Sequence, residues 1–307
     1  MRSKDFLSIS DVTIEELEAL LERAVHVKQH PEQYRQALAG QTLAMIFQKP
    51  STRTRVSFEV GTWQLGGYAL YLSGTDLQIG RGETIADTAR VLSRYCNGIM
   101  ARVFGHADIE ELGKWATVPV INGLSDLTHP CQAAADFLTL KERRGTLAGL
   151  RLAYVGDGNN VAHSLMLAGA KLGVSVSVAT PPGYGPKAEV VERAASDAKR
   201  TGARIAVEER PEDAVRGADA IYTDVWTSMG QEQEQQERRK AFAGYQVSAA
   251  MMRLANPECV FMHCLPAHRG EEVAAEVADS PQSVIFDEAE NRLHAQKAIM
   301  VELMGKR

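Results

Sequence analysis

One short segment of the chain concentrates groups that can bind an anion. Ser51–Arg55 supplies three hydroxyls and two guanidiniums, directly after an apolar run at Thr42–Phe47 that predicts a buried strand. A helix that begins here presents free N–H groups and the positive end of its dipole. The planar fork of an arginine also matches phosphate oxygens. The segment therefore predicts a phosphate site or, alternatively, a well-capped helix with solvated arginines. It is not a P-loop, because the glycines and the GK[ST] ending are absent.

Three further side chains with chemical potential lie near the ends of predicted strands. His129 follows the strand predicted at Val118–Ile121 and has a ring nitrogen that can donate to a carbonyl oxygen. Arg102 lies near the end of a strand predicted at Ile99–Val103, and Cys264 ends another. Each has an ordinary alternative: a hydrogen-bonded core histidine, a surface arginine and an inert buried thiol. Their types and positions alone leave these alternatives open.

The segment Gly156–Val161 lies between a predicted strand and a predicted helix and raises the question of dinucleotide binding. Val161 stands where the fingerprint needs its third glycine, and no acidic residue follows about 20 positions later, near Thr180, to hold a ribose. A nicotinamide-dependent oxidoreductase is therefore disfavoured. Asp224, at another strand end, is suited to pairing with an α-ammonium group or to capping a helix.

The composition bounds the class of protein. A chain of 307 residues suits two domains of about 150 residues. A net charge of -5 argues against bulk attraction to nucleic acid or anionic lipid. No apolar stretch approaches the roughly 20 residues of a membrane span, and the first residues lack a signal-peptide core, so a cytoplasmic location is expected. The four cysteines form no CxxC pair and predict neither a zinc site nor a disulfide framework: Cys96, Cys131, Cys259 and Cys264.

Strand and helix patterns alternate along the chain, and one of the predicted helices covers Ile109–Ala116. The alternation restarts with a strand predicted at Arg151–Val155. This pattern predicts an α/β protein of two domains, each a parallel sheet flanked by helices, with the divide inside a helix that starts near Gln132. The final segment, Glu288–Met304, predicts a long helix that packs back on the first domain. Ligands of such sheets bind at the carboxyl ends of the strands, which is where most of the candidate residues fall.

The segment Phe47–Arg55 resembles the S-T-R-T-R signature of the aspartate/ornithine carbamoyltransferase family. The resemblance implies that four of its residues bind the phosphate of carbamoyl phosphate, with Arg53 nearest the leaving phosphate: Ser51, Thr52, Arg53 and Thr54. The family's H-P-x-Q motif matches at His129, which would polarise the carbamoyl carbonyl, and at Gln132, which would contact the carbamoyl amide. Arg102 matches an arginine that helps to hold the phosphate and the carbonyl oxygen.

Two more donor-site residues follow from the same resemblance. The loop around Gln78 is similar to a family segment whose glutamine reaches into the donor site of a neighbouring subunit, which implies a homo-oligomer with a trimeric core. Arg292 matches an arginine that closes the donor site. The domains implied are a carbamoyl phosphate-binding domain over residues 1–133, an ornithine-binding domain over 134–287 and a returning C-terminal helix over 288–307.

The acceptor half carries motifs of the family's ornithine branch. Asn160 in G-D-x-x-N-V would contact the amino-acid end of the acceptor. D-x-W-x-S-M-G assigns three residues to ornithine: Asp224, Ser228 and Met229. H-C-L-P places Cys264 near the δ-amine and the Leu265 carbonyl on the carbamoyl amide, and a cis bond before Pro266 fits that role.

The resemblance as a whole implies transfer of the carbamoyl group of carbamoyl phosphate to ornithine, giving citrulline and phosphate in arginine metabolism. The nucleophile is the neutral δ-amine. If the pKa of this amine resembles that of lysine, about one ornithine molecule in 10³ carries it in the neutral form at neutral pH. The implied catalytic residues are Arg53, Arg102, His129 and Cys264. No metal and no cofactor is needed. The alternatives are another amine acceptor, namely aspartate, putrescine or an acylated ornithine, and a non-catalytic binding relative.

Overall fold

The computed structural model describes residues 1–74, 77, 82–227 and 232–305. The chain forms two compact units. Unit 1 contains Met1–Leu138 and Glu290–Arg307, and unit 2 contains Thr139–Ala289. Among the described residues, no helix is both long enough and apolar enough to cross a lipid bilayer.

Nine strands occur in the described part of the chain. In chain order they are β1 (Thr42–Phe47), β2 (Tyr68–Ser73), β3 (Gly98–Arg102), β4 (Val120–Leu124), β5 (Arg151–Val155), β6 (Ser175–Ala179), β7 (Ile205–Glu208), β8 (Ala220–Thr223) and β9 (Val260–His263).

Twelve α-helices occur in the same residues. They are α1 (Ile14–Gln29), α2 (Thr52–Gln64), α3 (Ile85–Tyr95), α4 (His106–Trp115), α5 (Pro130–Arg144), α6 (Asn160–Leu172), α7 (Ala188–Thr201), α8 (Pro211–Val215), α9 (Gln235–Ala241), α10 (Ala249–Met252), α11 (Ala275–Ala278) and α12 (Ile285–Met304). Short 3₁₀ segments cover Ile9–Asp11, Pro31–Tyr34 and Glu232–Glu234.

Unit 1 is built on a four-stranded parallel sheet with the order β2-β1-β3-β4. Five of the six residues of β1 are buried, because this central strand is apolar along its whole length. Its register aligns Phe47 with Arg102, so the loops that follow β1 and β3 leave the sheet side by side. The loop after β1 leads to Ser51 and the first turn of α2, and Arg102 is the last residue of β3.

Unit 2 is built on a five-stranded parallel sheet with the order β7-β6-β5-β8-β9. The chain order reverses between β5 and β8, which is the position where ligands bind in sheets of this type. The loop after β5 contains Gly156–Asn159, and the loop after β8 contains Asp224. Helix α6, which follows β5, is buried at every position after Asn160.

Helix α12 returns to unit 1. A Cβ atom added at Gly61 of α2 would meet Leu293, Lys297 and Met300 of α12 at 3.2–3.3 Å, so a glycine permits the two helices to approach closely. Lys297 Nζ donates to Gln64 Oε1 over 3.0 Å. This packing confirms the expected return of the last helix to the first half of the chain.

The two-sheet α/β fold expected from the sequence is confirmed, but several predicted boundaries are wrong. β3 covers Gly98–Arg102 rather than Ile99–Val103, and β9 ends at His263 rather than Cys264. β4 covers Val120–Leu124 rather than Val118–Ile121, because Pro119 has no N–H to donate to a sheet. α4 begins at His106 rather than Ile109, where the carboxylate of Asp126 accepts the His106 N–H. α12 begins at Ile285 rather than Glu288, since the Glu288 N–H already donates to the Val284 carbonyl.

Candidate active site

The start of α2 is organised by hydroxyl groups. Ser51 caps the helix, and its Oγ accepts the Thr54 N–H over 3.3 Å. The same Oγ lies 3.1 Å from Thr54 Oγ1. Thr54 is buried, Arg53 is half-buried and Thr52 is exposed. The first turn of α2 therefore presents N–H groups, hydroxyls and one guanidinium close together, which is a suitable arrangement for an oxyanion.

Arg292 of α12 connects this turn to α5. Its Nη2 donates to Thr54 Oγ1 over 3.0 Å, and its Nη1 donates to Gln132 Oε1 over 2.6 Å. The amide nitrogen of Gln132 in turn donates to Asp136 Oδ1 over 2.7 Å. Arg292 is only 4% exposed, so its positive charge is held inside unit 1 by these contacts. Three predicted donor residues that are far apart in sequence are thus brought together.

His129, the residue before α5, is buried in a positive environment. Its pKa lies well below the usual value, because burial penalises the imidazolium and because Arg292 and Arg102 add positive charge nearby. Arg102 ends β3 and is also buried. The ring of His129 is therefore neutral at neutral pH. A neutral imidazole can donate one hydrogen bond, while the two arginines supply the positive charge.

Arg55 differs from the other residues of the segment. It is exposed, pairs with Glu59 one turn later at 3.1 Å, and lies over the ring of Tyr71 at 3.8 Å. These contacts fix Arg55 on the outer face of α2, next to the edge strand β2.

In unit 2, Asp224 gathers hydrogen bonds at the end of β8. Its Oδ1 accepts from the Cys264 thiol, with the sulfur 3.0 Å away, and from its neighbour's N–H, that of Val225, over 2.8 Å. Its Oδ2 accepts from Asn159 Nδ2 over 2.8 Å. Two predicted residues, Asp224 and Cys264, therefore lie in direct contact. Asn160, the predicted acceptor contact, is half-buried at the first position of α6.

Asn159 has a role that the sequence did not reveal. Besides contacting Asp224, it caps α6 by accepting the N–H groups of Val161 and Ala162 over 2.9 and 3.2 Å. The hydroxyl of Tyr154 also donates to Asn159 Oδ1, over 3.3 Å. The available signal was an asparagine directly before a predicted helix, which is a preferred N-cap.

The loop after β5 is closely packed. A Cβ atom at Gly158 would lie 2.2 Å from the backbone nitrogen of Pro186, so only glycine fits there. Next to it, Asp157 forms a buried ion pair with Arg238 of α9 at 3.0 Å. Burial raises the pKa of Asp157 to about 6, although the guanidinium of Arg238 acts to lower it. Arg238 also donates to the Trp226 carbonyl over 3.0 Å and so connects α9 to a residue that follows β8.

The H-C-L-P segment begins at His263, the last residue of β9. Leu265 has φ 58°, in the left-handed region that a non-glycine residue seldom adopts, and its bond to Pro266 is cis, as expected from the sequence. His263 is completely buried. Its backbone N–H donates to Glu288 Oε2 over 2.9 Å, and its ring Nδ1 accepts the Leu265 N–H over 2.9 Å.

Two groups of described residues bring metal-ligating atoms within 4.8 Å of one another. They are Asp224 with His263 and Cys264, and His268 with Glu271 and Glu272. In the first group, both ring nitrogens of His263 contact protein atoms, the Leu265 N–H and Glu272 Oε1. In the second group, Glu271 pairs with Arg239 and Glu272 accepts the His268 N–H. Both groups form hydrogen-bond networks within unit 2.

Three predicted site residues, Gln78, Ser228 and Met229, lie outside the described residues. The remaining predicted residues fall in two sets. Unit 1 holds Ser51, Thr52, Arg53, Thr54, Arg102, His129, Gln132 and Arg292, and unit 2 holds Asn160, Asp224, Cys264 and Leu265.

Two family models together match most of the chain. Residues 4–142 match the carbamoyl-P binding domain of aspartate/ornithine carbamoyltransferase, and residues 148–303 match its Asp/Orn binding domain.

Full-length relatives agree with these models. The chain is 59% identical over 307 residues to an ornithine carbamoyltransferase of Thermococcus kodakarensis, covering 99% of this chain and 98% of the relative. It is 61% identical over 307 residues to one of Symbiobacterium thermophilum, with 99% of each chain covered. The solved structure of ornithine carbamoyltransferase from Pyrococcus furiosus matches with a TM-score of 0.95 at 58% identity, covering 98% of this chain and 96% of that one. With both domain models matched and such relatives along its whole length, the chain belongs to the aspartate/ornithine carbamoyltransferase family.

Proposed function

We propose that this carbamoyltransferase converts carbamoyl phosphate and L-ornithine into L-citrulline and phosphate, as a step of arginine metabolism. The donor half of this proposal rests on one observation: the buried Arg292 donates hydrogen bonds to Thr54 and to Gln132, and the neutral His129 lies near its charge. The acceptor is proposed from the relatives, which are named ornithine carbamoyltransferases, and from the Asp224–Cys264 contact.

In the donor half, the phosphate binds at the first turn of α2. Ser51, Thr52 and Thr54 offer hydroxyls and N–H groups, and Arg53 offers a guanidinium fork for two phosphate oxygens. Gln132, oriented by Arg292, contacts the carbamoyl amide. The cationic groups also favour release of phosphate, because the leaving group gains negative charge as its bond to carbon breaks.

The carbonyl oxygen of the donor becomes negative when the amine attacks. His129 and Arg102 are assigned to that oxygen, with Thr54 contributing its hydroxyl. His129 donates from a neutral ring, so it polarises the carbonyl without acting as an acid. Arg102 supplies the positive charge.

In the acceptor half, Asp224 pairs with the α-ammonium of ornithine, and Asn160, Ser228 and Met229 hold the amino-acid end. Cys264 lies near the δ-amine, and the Leu265 carbonyl accepts from the carbamoyl amide. Asn159 holds the Asp224 carboxylate in place through its 2.8 Å hydrogen bond.

The transfer is a direct displacement. The lone pair of the neutral δ-nitrogen forms a bond to the carbamoyl carbon, and the bond from that carbon to the phosphate oxygen breaks. The departing phosphate takes the proton that the amine nitrogen loses. Because a free amine with a pKa of about 10.4 is scarce at neutral pH, the rate rises with pH until the bound amine is deprotonated.

The assembly is proposed to be a trimer in which Gln78 of one subunit completes the donor site of the next. A cytoplasmic location stays a prediction from the sequence.

A panel of acceptors tests the proposal. Purified protein with carbamoyl phosphate is supplied separately with ornithine, N-acetylornithine, putrescine and aspartate, and both phosphate release and the carbamoylated product are measured. We expect citrulline with ornithine at a specificity constant at least about 100-fold above the other acceptors. Preference for another amine would overturn the acceptor assignment, and ligand binding without any turnover would identify a non-catalytic relative.

A further inference from the structure

The buried carboxylate of Glu272 contacts His263 of the H-C-L-P segment and takes no part in the mechanism above. Glu272 and His263 are both completely buried. Glu272 Oε1 lies 3.2 Å from His263 Nε2, and the other ring nitrogen of His263, Nδ1, accepts the Leu265 N–H over 2.9 Å. A continuous path of hydrogen bonds therefore runs from Glu272 through the imidazole to the backbone of Leu265.

These contacts determine where the ring proton lies. Nδ1 accepts a hydrogen bond from a backbone N–H, so it bears no proton. The single proton of the neutral ring is then on Nε2, which donates to Glu272. The opposite tautomer would place an N–H group against the Leu265 N–H and leave Nε2 without a proton to share with the carboxylate.

Glu272 is itself firmly held. Its backbone carbonyl accepts the Val247 N–H over 2.9 Å, and its Oε1 also accepts the His268 N–H. Glu288 holds His263 from the other side through the 2.9 Å bond to its backbone N–H. His268 Nδ1 lies 3.7 Å from Glu272 Oε2, and a carboxylate oxygen of Glu271 lies within 4.8 Å of one of Glu272. Among the described residues, the titratable groups that face Glu272 therefore include His263, His268 and Glu271.

We propose that Glu272 is a positioning residue: it selects the His263 tautomer that accepts the Leu265 N–H, and thereby fixes the backbone turn that aims the Leu265 carbonyl. The inference rests on the proposed function, in which that carbonyl accepts from the carbamoyl amide. Leu265 needs such support because its φ of 58° lies in the left-handed region. His263 has both nitrogens committed and is therefore not a proton-transfer group.

The first test compares two substitutions of Glu272. Glu272→Gln keeps an oxygen that accepts from His263 Nε2 and from the His268 N–H, so we expect kcat within about threefold of the unmodified protein. Glu272→Met removes the acceptor at similar volume. We expect kcat to fall about 10- to 100-fold, with the KM for carbamoyl phosphate changed less than about threefold, because phosphate binding lies in unit 1. Glu276→Met, at an exposed position of α11, is the matched control and keeps its activity.

A second pair tests His263 and does not depend on whether Glu272→Met folds. The side-chain oxygen of an asparagine at position 263 can accept the Leu265 N–H, as in an Asx turn, whereas leucine cannot. We expect His263→Asn to retain at least about ten times the kcat of His263→Leu. Equal losses in the two variants, with both folded, would contradict the proposal.

The tautomer is measured directly by NMR of the ¹⁵N-histidine-labelled protein, with the His263 signals assigned from their loss in His263→Asn. We expect an unprotonated Nδ1 and a protonated Nε2 of His263 in the unmodified protein and in Glu272→Gln. In Glu272→Met, we expect a different distribution of the proton between the two ring nitrogens. A protonated Nδ1 in the unmodified protein would overturn the inference. So would a folded Glu272→Met with full kcat. Since this readout needs no substrate, it stays valid if the protein makes no citrulline, a result that would refute only the proposed function.

Discussion

Arg292 donates to the hydroxyl of Thr54 over 3.0 Å, although 238 residues separate them in the chain. The same guanidinium donates to Gln132, so one buried cation of the last helix orients a residue of α2 and a residue of α5. The two segments that carry the donor motifs are therefore connected by a helix that belongs to neither motif.

Replacement of Arg292 is expected to weaken donor binding. Lysine at this position cannot donate to Thr54 and Gln132 in the same fork geometry, and methionine removes the charge as well. We expect the KM for carbamoyl phosphate to rise about tenfold in Arg292→Lys and more in Arg292→Met. Steady-state kinetics at saturating ornithine measure this. Arg193→Lys, on the exposed face of α7, is the control, and an unchanged KM in both Arg292 variants would refute the assignment.

The buried His129 makes stability depend on pH. Its pKa is lowered in the folded protein by burial and by Arg292 and Arg102, so below about pH 6.5 the unfolded chain takes up a proton that the folded protein does not. This contribution to stability is present above the unfolded pKa of 6.5 and is lost as the pH falls. We expect the urea midpoint to fall less steeply between about pH 6.5 and 5 in His129→Gln than in the unmodified protein.

His30→Gln, at a histidine whose side chain is 44% exposed, controls for the loss of an ordinary imidazole. If His129→Gln and the unmodified protein show the same pH dependence, His129 is not the buried neutral group described above.

Cys264 is expected to be the thiol that an alkylating reagent modifies first. It is half-buried, whereas the other three cysteines are buried, and burial raises the pKa of Cys131 and of Cys259 to about 12. Fewer thiolates at those positions mean slower reaction with iodoacetamide. Peptide mapping by mass spectrometry identifies the modified site, and Cys264→Ser should be alkylated much more slowly. Modification of Cys131 or Cys259 at the same rate would contradict this prediction.

Asn159 both caps α6 and donates to Asp224, a residue proposed to bind the acceptor. In Asn159→Ala, α6 loses its N-cap and Asp224 loses a hydrogen bond, so we expect a loss of about 1–2 kcal/mol in stability and a higher KM for ornithine. Ser248→Ala removes the N-cap of α10 and should lower stability without changing that KM. If Asn159→Ala, like Ser248→Ala, lowers stability and leaves the KM for ornithine unchanged, Asn159 acts on stability alone.

Mixed oligomers test the proposed trimer and the proposed action of Gln78 across a subunit boundary. Chains carrying Arg53→Ala and chains carrying Gln78→Ala are each expected to be nearly inactive. After random reassembly in equal amounts, about a quarter of the sites should combine an intact Arg53 with an intact Gln78 of the neighbour. Recovery of about a quarter of full activity supports action in trans, and no recovery despite exchange of subunits would place Gln78 in its own subunit's site.

The sequence by itself determined the α/β class and most of the element positions. Thr42–Phe47 and Arg151–Val155 are apolar runs bounded by polar residues, and both were predicted with the bounds that the structure shows. The errors at β4, α4 and α12 have separate causes. Pro119 has no N–H to donate at the start of β4, the carboxylate of Asp126 accepts the His106 N–H from 20 residues away, and the Val284 carbonyl accepts the Glu288 N–H. The helix start within Ser51–Arg55 was also predicted, because hydrogen bonds between neighbouring residues form the turn that opens α2.

Only the tertiary structure decided which distant residues meet. Nothing in the local sequence of α12 indicates that Arg292 contacts Thr54. Likewise, nothing in the sequence around Asn159 and Asn160 indicates that the Asn159 side chain donates to Asp224. The buried Glu272 looks like any surface glutamate in the sequence, and its contact with His263 appears only when the chain folds. Such contacts depend on the packing of elements far apart in the chain, which residue spacing does not encode, whereas local hydrogen bonds and apolar periodicity are set by neighbouring residues.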